Sequence, residues 1–591
     1  MNTDRYILGI SAFYHDSAAA LIKDGVIVSA AQQERFSRIK NDFGFPGDAI
    51  EWILKENRIT LANIEAVVFY EKPFVKFERI LATCIRFAPK GFKIFRQAIP
   101  TWLKDKLFQK HTLIESLKEL SGGEAWNEKL LFSEHHLSHS AASFYPSPFH
   151  EAAILTIDGV GEKATTTISV GKGCEITRIK EINFPHSYGL LYSTLTAFLG
   201  FRVNSGEYKV MGLAPYGKPI FADKIRENLL DLRDDGSFRL NMRYFRFATE
   251  LKMHGTELEQ LFGVPARKPE SNIEQAYKDI AASLQAVTDE ILLKLSKHTK
   301  EITNQKYLCL GGGVSLNCAA TGNLLRSGLF EDIWIQPSAG DAGSASGAAL
   351  LYYHKGLEQQ RKPTSRYNPF LGPSFTTDQV EIALKKMNAV YEVMPMELLL
   401  RKTAKAISKG KIIGWMQGGA EYSPRALGNR SILADPRIPD LKKKLNLKIK
   451  FRESFRPFAP SVMEEYASGL FEVDRPSPFM NFVCKAKPTV NQFLPSIVHV
   501  DSTARLQTVS ESDNSKFYNL LSCFYQITKC PVLVNTSFNI RGEPVVLTPH
   551  DAFNCFMNTG IDCLIIENVF LEKEKQPTNI HYIKKSDFLP D

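Results

Sequence analysis

Two stretches near the amino terminus share one order of apolar and polar positions. Residues 6–12 are mostly apolar, a polar turn with His15 and Asp16 follows, and a second apolar run leads into a glycine turn. Residues 153–173 repeat this order, with Asp158 at the first turn. Apolar runs separated by Gly- or Ser-bearing turns predict a strand, a turn and a second strand in each stretch. The sequence therefore predicts two similar strand–turn–strand units, although two hairpins can also resemble each other by chance.

The middle of the chain combines helical periodicity with glycine-rich turns. Apolar positions between residues 274 and 300 recur every three or four residues, which is typical of a helix. A predicted strand at 307–310 leads into three glycines, at 311–313, and a second predicted helix. Glycines between a strand and a helix let backbone N–H groups approach an anion, but they also allow tight packing. Farther on, a segment of small residues opens another predicted helix and carries a single acid, Asp341.

The last third of the chain reads as a separate unit. Residues 355–374 mix Gly, Gln, Arg, Pro and Ser and predict a connecting segment. Apolar runs at 411–416 and 530–535 predict strands, each followed by a polar loop. We therefore expect an α/β protein with two domains, at 1–360 and 375–591.

Length and charge narrow the class of protein. At 591 residues the chain is too long for one ordinary core, so two or more domains are expected. Its 44% hydrophobic and 23% charged residues are typical of a soluble globular protein. The net charge of +9 is spread along the chain without a long Lys/Arg run. This distribution fits small anionic ligands better than nucleic acid.

Three features favour a cytoplasmic location. The nine cysteines are odd in number and include no Cys-x-x-Cys motif, which favours a reducing compartment. The amino terminus passes directly from charged residues into a strand pattern, so we expect no signal peptide. No apolar window approaches the roughly 18 residues that a membrane span requires, so we expect no membrane partner.

The segment from Glu421 to Arg437 concentrates cations on a loop rich in glycine and proline. Guanidinium groups on such a rigid loop bind planar oxyanions bidentately, which favours phosphate, pyrophosphate or carbamate as ligands. Arg505 and the loop 535–539 would add donors to this pocket. The alternatives are a solvated basic surface and, for Arg505, an ordinary salt bridge. The cations of the segment and of the stretch that follows are Arg425, Arg430, Arg437, Lys450, Arg452 and Arg456.

His135 and His139 are four residues apart, so on a helix they share one face and can chelate a metal. A zinc peptidase needs Glu after the first histidine, but His136 stands there, and we expect that residue to be structural. Asp158 and Asp341 would supply oxygen ligands. Two imidazoles and two carboxylates suit iron, manganese or another borderline divalent ion. The alternative is that the histidines only pack or cap.

Two further groups are candidates for contact with a substrate. His15 follows the first predicted strand and is a candidate base, although a lone histidine often only forms hydrogen bonds. Glu207 and Lys209 lie in a loop punctuated by glycine and proline, where they either orient a substrate or form a local ion pair.

These blocks together resemble the O-carbamoyltransferase family that includes the nodulation-factor, cephamycin and tobramycin carbamoylating enzymes. The resemblance covers nearly the whole chain. It rests on seven ordered blocks: His15-Asp-Ser-Ala-Ala, His135-x-x-x-His139, Tyr208-Lys-Val-Met-Gly-Leu-Ala-Pro-Tyr-Gly217, Gly311-Gly-Gly-Val-Ser-Leu-Asn317, Pro424-Arg-Ala-Leu-Gly-Asn-Arg-Ser-Ile-Leu-Ala, Phe455-Arg-Pro-Phe-Ala-Pro460 and Asn535-Thr-Ser-Phe-Asn539.

The resemblance implies an actin-like N-terminal ATPase domain, similar to sugar kinases and to the transferase that makes threonylcarbamoyl-adenosine in tRNA. It also implies a C-terminal α/β domain related to the enzyme that makes threonylcarbamoyl-adenylate. The C-terminal site would join carbamoyl phosphate and ATP, with Mg²⁺, into carbamoyl-adenylate. The N-terminal site would then transfer the carbamoyl group to a hydroxyl of a small molecule.

The same resemblance assigns roles to residues. Phosphate and carbamoyl ligands would be Arg425, Lys450, Arg456, Arg505 and Ser537. Ligands of an Fe²⁺ ion, or of another divalent metal, would be His135, His139, Asp158 and Asp341. His15 would assist attack by the acceptor hydroxyl, while Arg425 and Lys450 would act in adenylate formation. Asn317 and Glu207 are weaker candidates for substrate contact.

Two rival functions remain open from the sequence. An actin-like sugar or carboxylate kinase would explain the doubled hairpins and the three glycines, but it gives no role to residues 411–460 and 530–544. A non-enzymatic ATPase switch that acts through domain motion has no need of paired histidines and a second anion site. The acceptor, whether an antibiotic, a lipo-oligosaccharide, a macrolactam or a saxitoxin-like toxin, is not specified, and a homodimer is only a default expectation. Ser423 stands where the family has glycine, so strain is expected there if the position needs positive φ.

Overall fold

The computed structural model describes residues 4–90, 108–122, 129–364 and 366–577. The chain divides into two compact units. The N-terminal unit comprises Met1–Ser37 and Asn41–Tyr367, and the C-terminal unit comprises Arg38–Lys40 and Asn368–Asp591. The break after Tyr367 lies within the segment 355–374. All nine cysteines are free thiols.

The described residues of the N-terminal unit form two five-stranded sheets with the same topology. In each sheet three consecutive strands form an antiparallel meander, and two later strands add in parallel beside the first strand of the meander. The first sheet has the order β3-β2-β1-β4-β5, with β1 Tyr6–Ser11, β2 Ala18–Lys23, β3 Val26–Gln32, β4 Ile64–Phe69 and β5 Leu130–Phe132. The second has the order β8-β7-β6-β11-β12, with β6 Glu151–Ile157, β7 Ala164–Lys172, β8 Glu175–Asn183, β11 Tyr307–Gly311 and β12 Asp332–Ile335.

This repeated strand order confirms the expected duplicated, actin-like fold. A separate hairpin joins β9 Leu230–Leu232 to β10 Phe238–Leu240. The helices of the unit are α1 Glu34–Ser37, α2 Gly47–Glu56, α3 Pro73–Phe87, α4 Gln109–Leu120, α5 His135–Phe144, α6 Tyr188–Phe198, α7 Glu207–Leu213, α8 Ala222–Lys224, α9 Glu257–Phe262, α10 Gln275–Thr303, α11 Cys318–Arg326 and α12 Asp341–Leu351. Short 3-10 or π turns span Leu61–Asn63, Ala214–Tyr216, Ile225–Leu229, Gly313–Leu316 and Tyr352–Gly356.

The described part of the C-terminal unit is built on a mixed eight-stranded sheet, so the expected α/β class holds for this unit too. Its order is β13-β22-β21-β14-β15-β20-β16-β19, and β17 pairs with β18. The strands are β13 Glu392–Val393, β14 Ile413–Met416, β15 Arg430–Ala434, β16 Ala459–Met463, β17 Val483–Lys485, β18 Thr503–Arg505, β19 Gln507–Val509, β20 Val532–Ser537, β21 Cys563–Ile566 and β22 Val569–Glu572. The helices are α13 Thr377–Lys386, α14 Met396–Ser408, α15 Leu441–Lys448, α16 Glu464–Leu470, α17 Pro488–Phe493, α18 Ser515–Thr528 and α19 Pro549–Met557, and a 3-10 turn spans Lys573–Lys575.

Small residues let α12 pack closely against α5 and β1. A Cβ atom at Gly347 would lie 2.0 Å from the carbonyl oxygen of Ser138, and one at Gly9 would lie 1.9 Å from that of Ala345. Since real Cβ atoms do not approach so closely, glycine at these two positions is required for the packing. The sequence of small residues after Asp341 thus brings the start of α12 next to the histidine-bearing helix.

Arg361 holds the carboxyl-terminal end of α5. Its guanidinium donates to the carbonyl oxygens of Phe144, Tyr145, Ser147 and Phe149, and it lies 4.3 Å from the centroid of the Phe144 ring. The last carbonyls of a helix lack partners within the helix, so a buried arginine satisfies groups that would otherwise be unpaired. Burial lowers the pKa of Arg361 to about 10, which leaves it charged at neutral pH.

No helix among the described residues is both long and apolar enough to cross a membrane.

We expect Arg361→Met to destabilise the end of α5 by about 2–4 kcal/mol, because it removes the donors while it keeps the apolar stem. Hydrogen exchange of peptides covering residues 135–149, followed by mass spectrometry, measures this change as faster exchange. Lys306→Met is the matched control, since Lys306 is 72% exposed and forms only a surface ion pair with Glu331. Equal exchange in the two variants would contradict the role given to Arg361.

A candidate metal centre and a candidate anion pocket

Four side chains of the N-terminal unit converge from three places in the fold. His135 and His139 lie on α5, which follows β5 of the first sheet. Asp158 follows β6, the first strand of the second sheet, and Asp341 is the first residue of α12. Because both sheets place strand ends in this region, residues that are distant in sequence meet here. One ligand atom from each of the four residues lies within 4.8 Å of the others.

The contacts within this cluster are short. Nε2 of His135 lies 2.9 Å from Oδ2 of Asp158 and 3.1 Å from Nε2 of His139. Nε2 of His139 lies 3.3 Å from an oxygen of Asp158 and 3.3 Å from one of Asp341. Both histidines and Asp341 are at most 1% exposed, and Asp158 is 8% exposed. The two ring nitrogens and two carboxylates thus face one small volume away from solvent.

The donor set fits a divalent metal. Neither carboxylate oxygen of Asp341 has a hydrogen-bond partner in the described part of the chain, although both are buried. Burial alone would lower the pKa of His139, but the neighbouring carboxylates of Asp158 and Asp341 raise it to about 9. The two acids therefore favour positive charge at this point, which a bound cation would supply. Two imidazoles with two carboxylates suit iron, manganese or a similar ion.

Neighbouring groups orient some of the ligands. Ser344 Oγ lies 3.0 Å from Nδ1 of His139, which fixes the orientation of that ring. The backbone N–H of Gly313 donates to Oδ1 of Asp158 at 3.0 Å, so the three-glycine turn serves the acid directly. Gly312, in the same turn, has φ of +84° and no room for a side chain beside Ile157.

His15 lies at the edge of the cluster, where a base would be useful. Its Nε2 is 3.6 Å from Asp341, and its Nδ1 is 3.1 Å from Asp16. Burial would lower the pKa of His15, but Asp341 and Asp16 raise it to about 10. Phe13 and Asp16 have φ of +68° and +52°, unusual for residues with side chains, so the loop holds His15 in a constrained position.

His136 has the structural role expected for it. It is fully buried, and its Nδ1 lies 2.7 Å from Oγ1 of Thr156. Burial lowers the pKa of His136 well below the usual value, so this imidazole is neutral. It faces β6 instead of the four-residue cluster.

The weaker substrate candidates make local contacts. Asn317 caps α11, where its side chain accepts from the N–H of Ala320, and it also pairs with Gln285. Glu207 accepts from the hydroxyl of Ser193 and the N–H of Asn204. These contacts explain why the sequence has polar residues at both positions, and a direct role in substrate binding stays a prediction.

In the C-terminal unit, Glu421 organises the arginine-rich loop between β14 and β15. One of its oxygens accepts from the backbone N–H groups of Leu427, Asn429 and Arg430, at 2.8, 2.9 and 3.0 Å. A buried carboxylate with three such donors closes the loop on itself. This acid therefore fixes the backbone on both sides of Arg425, a role that its position in the sequence alone did not reveal.

Two of the three arginines in this segment are structural, which corrects their interpretation as a common anion-binding set. Arg430 is 1% exposed and donates to the carbonyl oxygens of Gln417, Gly418, Asn429 and Pro373. Arg437 binds the buried Asp435 through Nε and a terminal nitrogen. The alternation of these arginines with apolar residues correctly indicated that their side chains are ordered. Their order, however, comes from hydrogen bonds to oxygens of the protein itself and needs no bound anion. Arg425 is half-buried, and its role as an anion ligand stays a prediction.

Lys450 and Ser537 meet in the structure. Nζ of Lys450 lies 2.7 Å from the carbonyl oxygen of Ser537 and 3.2 Å from its hydroxyl, and it also donates to Oδ1 of Asn539 at 2.6 Å. Burial, with the nearby charge of Arg452, holds the pKa of Lys450 well below its usual range. The charge of Arg456 acts in the same direction.

Side-chain hydrogen bonds from β19 and β20 reach the loop that carries Arg425. Asn535, on β20, donates to the carbonyl oxygen of Ala426, directly after Arg425 in the sequence. Gln507, two residues after Arg505, donates to the carbonyl oxygen of Leu427 at 2.9 Å. The loops that carry the predicted anion ligands are thus joined by hydrogen bonds within one unit.

Ser423 does not strain the loop. It is not among the described residues with positive φ, and its hydroxyl accepts the N–H of Arg425 at 3.0 Å. The substitution of serine for the family's glycine therefore adds a hydrogen bond beside the candidate ligand.

The sequence comparisons agree over almost the whole chain. The family model described as Carbamoyltransferase N-terminus matches residues 6–350, and the model described as Carbamoyltransferase C-terminus matches residues 404–573. The Synechocystis protein sll1178 is 50% identical over 598 residues, which cover 97% of each chain. Nodulation protein NolNO of Sinorhizobium fredii is 36% identical over 570 residues, which cover 95% of this chain and 80% of that protein.

Solved structures match part of the chain at low similarity. Component A of (R)-2-hydroxyglutaryl-CoA dehydratase from Acidaminococcus fermentans covers 60% of this chain and 99% of its own, with 15% identity and a TM-score of 0.31. The fold assignment rests on strand order and the reaction class on the family models. The chain belongs to the carbamoyltransferase family and is a transferase enzyme.

Proposed function

We propose that the protein transfers a carbamoyl group from carbamoyl phosphate, activated with ATP, to a hydroxyl of a small-molecule natural product or toxin. The observation that supports this most is the buried His135, His139, Asp158 and Asp341 cluster, because such a site has no evident use in a simple kinase. The proposal places the protein in the cytoplasm, where carbamoyl phosphate and ATP are both available. It also includes a homodimer as the oligomeric state.

The first half-reaction is assigned to the C-terminal unit. Loss of phosphate from carbamoyl phosphate with uptake of water gives carbamate, and a carbamate oxygen attacks the α-phosphorus of ATP as pyrophosphate leaves. Carbamoyl-adenylate results, and Mg²⁺ accompanies the nucleotide. Arg425, Arg456 and Arg505 bind the anionic groups, since guanidinium groups hold phosphate and carbamate through paired donors. Lys450 and Ser537 lie together and contact the reacting phosphate or carbamoyl oxygens.

The second half-reaction is assigned to the N-terminal unit. The acceptor hydroxyl attacks the carbamoyl carbon, AMP leaves, and one proton is released. His15 is the acceptor of that proton, because it is the histidine at the edge of the cluster instead of within it. It acts in its neutral form, which a cation in the cluster would favour by offsetting the Asp341 charge that raises the pKa of His15. His135, His139, Asp158 and Asp341 hold an iron(II) or similar ion, which supplies Lewis-acid polarisation when bound. Asn317 and Glu207 contact the substrate at the rim of the site.

The two half-reactions predict opposite effects for two variants. Arg425→Ala removes a ligand of the reacting anion, so we expect pyrophosphate release from ATP and carbamoyl phosphate to fall by about 100-fold or more. His139→Ala leaves that release near the wild-type rate but blocks carbamate formation on the acceptor. Pyrophosphate release and AMP release with a panel of hydroxyl compounds, followed by mass spectrometry, measure the two steps.

Arg401→Ala is the control for arginine loss, because Arg401 forms an exposed ion pair with Glu397 on the helix α14. Release of ADP instead of pyrophosphate would favour a kinase or an ATPase switch. Equal loss of both half-reactions in Arg425→Ala and His139→Ala would contradict the division between the units.

Metal removal gives a separate test of the cluster. We expect the purified protein to contain about one divalent ion per chain by elemental analysis, since the four donors enclose one small volume. Treatment with a chelator removes the ion and stops carbamoyl transfer, while pyrophosphate release continues once Mg²⁺ is restored. His550→Ala, at an exposed histidine, keeps the metal, whereas His139→Ala loses it. Full metal content in His139→Ala would rule out the site.

A further inference from the structure

Glu162 is a buried acid outside the four-residue cluster. It ends the turn between β6 and β7, four residues after Asp158, and is 3% exposed. One carboxylate oxygen accepts from the N–H of Lys72 at 2.7 Å and from that of His135 at 3.0 Å. The other oxygen lies 3.1 Å from the same His135 nitrogen. A single carboxylate therefore joins three separate segments of the N-terminal unit.

These contacts fall at the starts of two helices. Lys72 precedes the first residue of α3, and His135 is the first residue of α5. Neither helix receives a hydrogen bond from the side chain of its own capping residue. The first N–H groups of a helix lack partners within it and carry partial positive charge, so an acid there is stabilising. Glu162, from a distant segment, supplies the side-chain acceptor that the capping residues of these two helices do not provide.

The turn that carries Glu162 is also fitted against His135. A Cβ atom at Gly161 would lie 2.9–3.1 Å from side-chain atoms of His135, so glycine makes room for the ligand. The carbonyl oxygen of Gly161 accepts from Arg79, on α3, at 2.7 Å. The turn 158–162 thus carries the candidate ligand Asp158 at one end. At its other end is Glu162, which binds the backbone of the candidate ligand His135.

His135 depends on this support more than His139 does. Nδ1 of His139 is held by Ser344, whereas Nδ1 of His135 is buried and has no hydrogen-bond partner among the described residues. A metal-bound histidine usually donates its second ring nitrogen to an acceptor, which fixes the ring. Without that contact, the position of the His135 ring is set by its backbone and by close packing at Gly161.

We infer that Glu162 is a positioning residue of the metal centre, which fixes His135 through its backbone N–H in place of the missing contact to its ring. This inference rests on the metal site of the proposed function. It assigns Glu162 no contact with metal or substrate, because both of its oxygens are directed to backbone donors.

Cobalt(II) is a suitable probe, because its visible absorption reports ligand geometry without any turnover. We expect Glu162→Gln to weaken cobalt binding by about 10- to 100-fold in a chelator competition and to change the spectrum at saturation. Glu151→Gln is the matched control, since Glu151 is the first residue of β6, the strand that leads into the turn with Glu162, and forms a surface ion pair with Lys172. It should retain the wild-type affinity and spectrum.

The outcomes separate this inference from the proposed function. Identical cobalt affinity and spectra in Glu162→Gln and Glu151→Gln would overturn the positioning role alone. Cobalt binding by the wild type without any pyrophosphate or AMP release would count against the reaction alone, and failure of the wild type to bind cobalt would overturn both. If Glu162→Gln does not fold, Glu162→Asp keeps the charge, shortens the reach, and should show the same change in spectrum.

Discussion

Two buried carboxylates that face two imidazoles are the constraint on which the N-terminal unit depends. Asp158 and Asp341 are removed from water, and burial of unpaired charge is costly. The fold compensates by placing ring nitrogens within 3.3 Å of both acids and by raising the pKa of His139 to about 9. A cluster that already favours positive charge is suited to a cation. The same arrangement of two acids and two imidazoles therefore serves both the electrostatics of the fold and the proposed chemistry.

The helix that carries both histidines is fixed from outside at each end. Glu162 accepts from the N–H of His135 at its start, and Arg361 satisfies carbonyl oxygens at its end. The amino end of a helix carries partial positive charge and its carboxyl end carries partial negative charge. An acid at the first and a cation at the second are therefore both stabilising. Close packing against α12, through Gly347, then sets the distance between the histidines and Asp341. The geometry of the proposed metal centre therefore depends on backbone contacts as much as on the four candidate ligands.

Several cations of the C-terminal unit have structural roles. Arg430 and Arg437 satisfy buried protein oxygens, and Glu421 closes the loop through three backbone N–H groups. Arg425 is half-buried in this framework, and Asn535, two residues before Ser537, donates to the carbonyl oxygen of the adjacent Ala426. A preorganised loop loses less entropy when it binds an anion, which would suit the small, highly charged substrates proposed for this unit.

The sequence by itself determined the duplicated strand units, the histidine pair on one helix face and the separate arginine-rich domain, because periodicity, glycine turns and i,i+4 spacing are local properties. It also identified the four metal-ligand candidates through family resemblance. Only the tertiary structure decided which arginines donate to buried oxygens of the protein itself. It alone revealed that Glu162 and Arg361 support α5. Their partners are 27 and more than 200 residues away, and no local pattern records which distant backbone groups a buried charge must satisfy.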